Sequence, residues 1–351
     1  MKYEIALISD IHFGRGNSDK LANELSIFKD YITENRMDAV IVAGDLYDRV
    51  LKMNEPASKH VISFVNWLVE YGNKNRSQIR ILKGTKTHDH NQLNNFETLT
   101  KNSNFRIINY LQSEQILPFL DTLYIPEEYE GIEYYDQKFL FDHKYKLIVG
   151  HGTIDFASFV DNTESPIKDA PVFSRKQLDE ISMVTIFGHI HNAISEGNCH
   201  YIGSYSRGNF IETSTKGFIH LTIYDNSYHI ERIENTMADT YVTINIDELE
   251  GLSNEEKLVY IKKAKDEFDH VKVITKNKNS ENIDLIRSAT KGTDIKVEVK
   301  AKVETKKIDE KYEFVLDRTL PLDEVIKRFI KVKYEKDIST KLIDDVLNDN
   351  I

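Results

Sequence analysis

A chain of 351 residues is long enough for a large core and for division into two domains. With 40% hydrophobic and 29% charged residues, 18 Tyr and 17 Phe, it has a globular composition that argues against disorder. The net charge of -11 does not advertise a nucleic-acid binder, the single Cys199 excludes an intramolecular disulfide, and no apolar run reaches the ~18 residues of a membrane span. Strand-like sequence begins by residue 4, so no signal peptide and a cytoplasmic location are expected.

The first 110 residues alternate strand and helix. Ile5 to Ser9 reads as a buried strand, and Leu21, Leu25, Phe28 and Ile32 recur at helical spacing. Ala39 to Ala43 is the second strand, Val61, Phe64, Val65 and Leu68 mark the next helix, and Ile79 to Leu82 is the third strand. Alternation of this kind predicts a parallel sheet covered by helices, with its active site at the carboxyl ends of the strands. From about residue 120 strands dominate: Leu147 to Val149 and Val184 to Phe187, then His200 to Gly203, Gly217 to Tyr224 and Tyr228 to Glu234, which read as an antiparallel set. Residues 1–235 are read as one domain.

Residues 236–312 are read as a small α/β module. Its expected strands are Thr240 to Ile246, Val271 to Thr275 and Ile295 to Val299, with helices at Ser253 to Phe268 and Glu281 to Ser288. Residues 257–307 hold 14 Lys or Arg against 8 Asp or Glu, a local charge of +6. Such a stretch is either a solvated surface or a face that follows a phosphate backbone. Residues 313–351 form a tail with two amphipathic helices, at 321–333 and 338–349, which either pack back or enter a partner's groove.

Candidate ligands stand at the strand ends: Asp10 and His12, Asp45 after Gly44, His151 after Gly150, and His189 and His191 after Gly188. Asp and His suit Mn²⁺, Fe²⁺ or Zn²⁺. Taken singly, Asp-x-His and Gly-Asp are commonplace and Gly-His-x-His is a stronger signal; the ordered set at strand ends points to two metals, and such centres hydrolyse phosphate esters. Asp45 is the natural bridge, because two dications a few ångströms apart repel unless a carboxylate joins them. The glycines before Asp45, His151 and His189 are expected to let the backbone turn sharply. His60, His90, His143, His200, His220, His229 and His270 are read as surface or packing residues.

Together, Ser9-Asp10-Ile11-His12-Phe13-Gly14, Gly44-Asp45-Leu46-Tyr47-Asp48, Gly150-His151 and Gly188-His189-Ile190-His191 resemble the calcineurin-like metallophosphoesterase superfamily. Within it, Tyr201-Ile202-Gly203-Ser204 followed by Arg207, Asn209-Phe210 and Glu212 resembles the SbcD-type DNA repair nucleases, which include phage recombination endonuclease subunits. The resemblance implies a four-layer α-β-β-α sandwich, a DNA-binding capping domain, and a helical tail that grips an SbcC-type coiled-coil ATPase. It also implies homodimerisation, no membrane, and two divalent ions, Mn²⁺ first and Mg²⁺ as a poorer support. One motif departs: where the family has G-N-H-D, this chain has Gly84-Thr85-Lys86-Thr87-His88-Asp89. Alignment on His88-Asp89 puts Thr87 at the place of the metal-ligating asparagine, with a water or His88 itself as other occupants. By resemblance, His88 acts on the scissile phosphate and Asp48 orients groups near the attack site. The rival readings are a phosphoesterase for nucleotides or phosphoproteins, and a weakly active scaffold that tethers DNA ends.

Overall fold

The structure is a computed structural model that describes residues 2–101, 104–127, 142–157, 172–249, 251–275, 285, 287, 295–299 and 322–334. In chain order the first elements are β1 (Lys2–Ile8), α1 (Ser18–Glu34), β2 (Ala39–Ala43), α2 (Pro56–Asn75), β3 (Gln78–Leu82), α3 (Lys86–Asp89) and β4 (Phe105–Ile108). They are followed by β5 (Gln112–Leu117), β6 (Leu120–Ile125), β7 (Tyr145–His151), β8 (Thr153–Ile154), β9 (Val172–Phe173), α4 (Arg175–Ile181) and β10 (Ser182–Gly188). Next come β11 (Ser195–Glu196), β12 (Cys199–Tyr201), β13 (Gly217–Tyr224) and β14 (Tyr228–Glu234).

Two six-stranded sheets result, ordered β14-β13-β1-β2-β3-β4 and β11-β12-β10-β7-β6-β5; β13 and β14 pair antiparallel as expected, whereas β12 lies in the other sheet, parallel to β10. The period-2 alternation of side chains builds the layers. In β2, Val40 and Val42 join the core under α1 and α2, while Ala39, Ile41 and Ala43 face the core shared with the second sheet. In β7, Leu147 and Val149 enter that shared core, and Tyr145 and Ile148 pack with Leu178 and Ile181 of α4. The layers are therefore helix, sheet, sheet, helix, as the family resemblance implies. The helices form where the spacing predicts: α1 buries Leu21, Leu25, Phe28 and Ile32, and Asn17 caps it by accepting from the Asp19 and Lys20 N–H groups. Pro56 opens α2, and Arg76, in the left-handed region, closes it.

This topology sets the site. β1, β2 and β3 are parallel neighbours, and so are β6, β7 and β10. Register aligns Ile125 with Gly150 and Gly150 with Phe187, so β6, β7 and β10 end level with one another.

The chain divides after Val242 into a second unit, residues 243–265 and 271–351, while 266–270 stay with the first. Here β15 (Tyr241–Asn245), β16 (His270–Thr275) and β17 (Lys296–Val299) make a sheet in the order β15-β16-β17. Helix α5 (Asn254–Glu267) buries Ile261 and Ala264, and α6 (Leu322–Tyr334) follows Pro321. Of the helix expected at Glu281 to Ser288 only Leu285 and Arg287 are described, both helical; the one expected at 338–349 lies outside the described residues. No helix among the described residues is long and apolar enough to cross a membrane.

Candidate metal centre

Each candidate side chain leaves the carboxyl end of a parallel strand: Asp10 and His12 after β1, Asp45 after β2, His88 after β3, His151 on β7, and His189 and His191 after β10. The two sheets meet there. His189 N–H donates to both Asp10 carboxylate oxygens at 3.1 Å, and His151 Nδ1 lies 2.8 Å from the Ala43 carbonyl. Four of the seven non-glycine residues with positive φ among those described are Asp10 (51°), His12 (54°), Asp45 (49°) and His189 (87°). Backbone strain gathered at one place and held by its surroundings is a mark of functional sites.

Potential ligand atoms gather in four groups: Asp10, His12 and His191; His12, Asp45 and His88; Asp10, Asp45 and His151; and Glu127, His151 and His189. Asp45 joins the halves. Its Oδ1 is 3.3 Å from His151 Nε2, and its Oδ2 is 2.7 Å from His88 Nδ1 and 3.8 Å from His12 Nε2. The donor set fits dications. His12 Nε2 and His191 Nε2 face each other at 3.0 Å. His191 Nδ1 lies 3.1 Å from Glu212 Oε1 and donates to it, so its Nε2 carries a lone pair for a cation. Burial holds the His12 imidazole well below its usual range, hence neutral and able to ligate. Burial also works against a proton on His151, but the Asp45 charge outweighs it and raises that imidazole well above the usual value.

Supporting residues fix the first half. Glu212 accepts from His191, Ser204, the Gly208 N–H and Lys216, whose Nζ also reaches the His191 carbonyl at 2.8 Å. This explains the acidic residue downstream of the Gly-His-x-His motif: it orients a ligand from behind. Asp89 accepts the Tyr47 and Gly84 N–H groups at 2.9 and 2.7 Å and ties the loops after β2 and β3 together. Burial, then the Asp45 charge, pushes its carboxyl up to about 7. Asp48 lies at the rim, with Oδ1 3.5 Å from His12 Nδ1 and 3.8 Å from Arg15 Nε.

Two placements differ from the sequence reading. Thr87 is exposed on α3, and the threonine inside the cluster is Thr85. Its N–H donates to Asp45 Oδ1 at 2.6 Å, and its Oγ1 lies 2.9 Å from Glu127 Oε2 and 3.2 Å from Asp45 Oδ2. Aligning on His88-Asp89 counts backwards through two residues that α3 uses as an inserted turn. Glu127 went unnoticed in the sequence: two residues beyond β6, with Oε2 3.4 Å from His189 Nδ1 and 3.6 Å from His151 Nε2, it is 2% exposed. The glycines also divide. Gly44 has φ +90° and makes the expected sharp turn; Gly188 lies at the end of a regular strand, where an added Cβ would sit 2.4 Å from the Ala43 carbonyl oxygen, so close packing requires it.

From Asp10 and His12 an open cleft of about 330 Å³ runs past Arg15, Lys20, Arg207, Tyr241 and His270. Lys20 and His270 both pair with Asp239. Arg207 donates to the Asp239 and Ser214 carbonyls.

A comparison with curated proteins finds no match. Among solved structures, a dimetal phosphatase from Danio rerio aligns over 67% of this chain and 96% of its own, at 10% identity and a TM-score of 0.40. The sequence profile of the calcineurin-like phosphoesterases matches residues 3–193, which is 191 of 351 residues and takes in Asp10 through His191. By that match over more than half its length, this chain belongs to the calcineurin-like phosphoesterase family.

Proposed function

We propose that the phosphoester this chain hydrolyses is the DNA backbone, and that it is the nuclease subunit of a recombination or repair complex. The observation that carries this reading is the open cleft, which leads from Asp10 and His12 to two arginines and an aromatic ring. Guanidinium groups suit phosphate, and a Tyr face suits a base or sugar. The order of the motifs, with Tyr201-Ile202-Gly203-Ser204 and Glu212 after Gly-His-x-His, supports the same branch of the family.

Two dications, when bound, would supply Lewis-acid polarisation of the phosphoryl group and an activated water. Asp10, His12, His191 and Asp45 would hold one, and Asp45, His151 and His189 the other; Mn²⁺ is the ion proposed. His88, held by Asp45 and 17% exposed, presents a ring nitrogen to the phosphate and donates to its developing charge or to the leaving oxygen. Asp48 aligns His12 and Arg15 at the entrance. In this reading the Lys-rich stretch at 257–307 follows the DNA backbone, and the tail from residue 313 binds an SbcC-type ATPase.

The test is Mn²⁺-dependent degradation of end-labelled linear duplex DNA by wild type and His189→Ala, with a nucleotide monophosphate and bis(p-nitrophenyl) phosphate alongside. Digestion of DNA by wild type, abolished in the variant, is expected. Hydrolysis of the small esters with DNA bound or ignored but uncut would overturn the nuclease reading.

A further inference from the structure

We infer that Glu127 is a metal ligand of this chain, filling at the second position the place that the motif after β3 leaves without an asparagine. The inference rests on the two-metal reading of the site and holds whichever phosphoester is the substrate.

The argument begins with reach. After β3 the chain turns at Gly84, and the next residue points into the cluster. In this chain that residue is Thr85, fully buried, with its N–H on Asp45 Oδ1 at 2.6 Å. A threonine hydroxyl is shorter than an amide and, being neutral with its proton retained, a weaker donor to a hard cation than a carboxylate. The oxygen that the shorter side chain fails to supply comes from the neighbouring strand. β6 runs parallel to β7 with Ile125 level with Gly150, so the residue two beyond Ile125 emerges beside His151. Glu127 N–H approaches the Lys83 carbonyl at 3.4 Å, which ties it to the chain just ahead of Gly84-Thr85. Its Oε2 then stands 3.4 Å from His189 Nδ1, 3.6 Å from His151 Nε2 and 2.9 Å from Thr85 Oγ1.

Charge supports the same assignment. Asp10, Asp45 and Glu127 are each no more than 2% exposed. Among the described residues, the ion-pair partners of Asp10 and Asp45 are histidines. Buried carboxylates are costly unless paired with cations or hydrogen-bond donors. Asp45 Oδ2 has His88 Nδ1 at 2.7 Å, which leaves the hydroxyl proton of Thr85 for Glu127 Oε2 at 2.9 Å. A dication among Asp45, Glu127, His151 and His189 neutralises both acids, and Thr85 becomes a positioning residue that steadies Glu127. Three carboxylates then face two dications, −3 against +4, one negative charge more than with an amide at this place.

The experiment is Mn²⁺ binding to the full chain, followed by the loss of the free-ion electron paramagnetic resonance signal, for wild type, Glu127→Gln and Thr85→Val. Wild type should bind two Mn²⁺. Glu127→Gln, similar in shape and without the charge, should bind the first as wild type does and the second about tenfold or more weakly, with Thr85→Val losing less. Two unaltered sites in Glu127→Gln, or a larger loss in Thr85→Val, would overturn the assignment. A wild type that binds fewer than two ions would instead overturn the two-metal reading, and the inference with it. Thermal unfolding in EDTA shows whether Glu127→Gln is folded; should it not be, Glu127→Asp takes its place. A shorter carboxylate that weakens the second Mn²⁺ alone supports the ligand, and one that leaves it unchanged overturns it.

Discussion

The two halves of the metal centre are built on different plans. At Asp10, His12 and His191 the ligands come from two compact motifs, and Glu212, itself gripped by Lys216, holds His191 from behind. At His151, His189 and Glu127 the ligand candidates come from three separate strands. There the support is the Ala43 carbonyl behind His151 and the Thr85 hydroxyl beside Glu127. The first half is closed, with His12 3% and His191 0% exposed; the second is the more open, with His189 at 13%. The difference teaches that the closed half has its geometry locked by a buried ion pair, whereas the open half relies on a carboxylate brought in from the neighbouring strand. Asp45 makes them one centre.

The predictions that sharpen this contrast run from large to small. His88 belongs to the catalytic group in our reading, so His88→Ala should lower kcat by about 10²–10⁴-fold with two Mn²⁺ still bound. Loss of an ion in that variant would make His88 a ligand. Glu212→Ala strands Lys216 in the interior and should cost about 3–5 kcal/mol in denaturant unfolding, with the first metal weakened. An unfolding free energy within error of wild type would break the claim that the closed half is locked by this pair.

Protons separate the halves further. Burial alone would raise the Glu212 carboxyl, but the His191 hydrogen bond and the Lys216 charge hold it far below the usual range. Its stabilisation is present above the unfolded carboxyl value of about 4.3 and is lost as pH falls toward the folded value; in EDTA, Glu212→Gln should flatten that acid limb. A proton on His151 competes with the second ion, while His12 stays neutral. Lowering pH from about 8 to about 6 should therefore release the second Mn²⁺ before the first, read by calorimetric titration. The opposite order would contradict the assignment of the halves. The smallest effect is expected at Thr87, which is exposed: Thr87→Ala should change stability by less than about 0.5 kcal/mol and leave Mn²⁺ binding unaltered.

The first half was legible because its ligands sit two apart on chain leaving a strand, a spacing that survives folding. The helix-covered parallel sheet was legible from short apolar runs such as Ala39 to Ala43, buried on both faces, set between segments of helical spacing; the four layers came from the family resemblance. Thr85 was not, because Lys86 and Thr87 form a short turn that separates the motif's glycine from its histidine, and only the N–H bonds of Gly84 and Thr85 to Asp89 and Asp45 reveal the true frame. Glu127 carried no local signal at all. A glutamate after Ile125-Pro126 looks like any acid at the end of a surface strand until the β6–β7 register places it beside His151.

The most direct test of the central claim is a crystal structure of the Mn²⁺-loaded chain with anomalous data at the manganese edge. The account predicts two peaks sharing Asp45, one against Asp10, His12 and His191, the other against His151, His189 and Glu127. A single peak, or a second peak with Glu127 turned away from it, would contradict it.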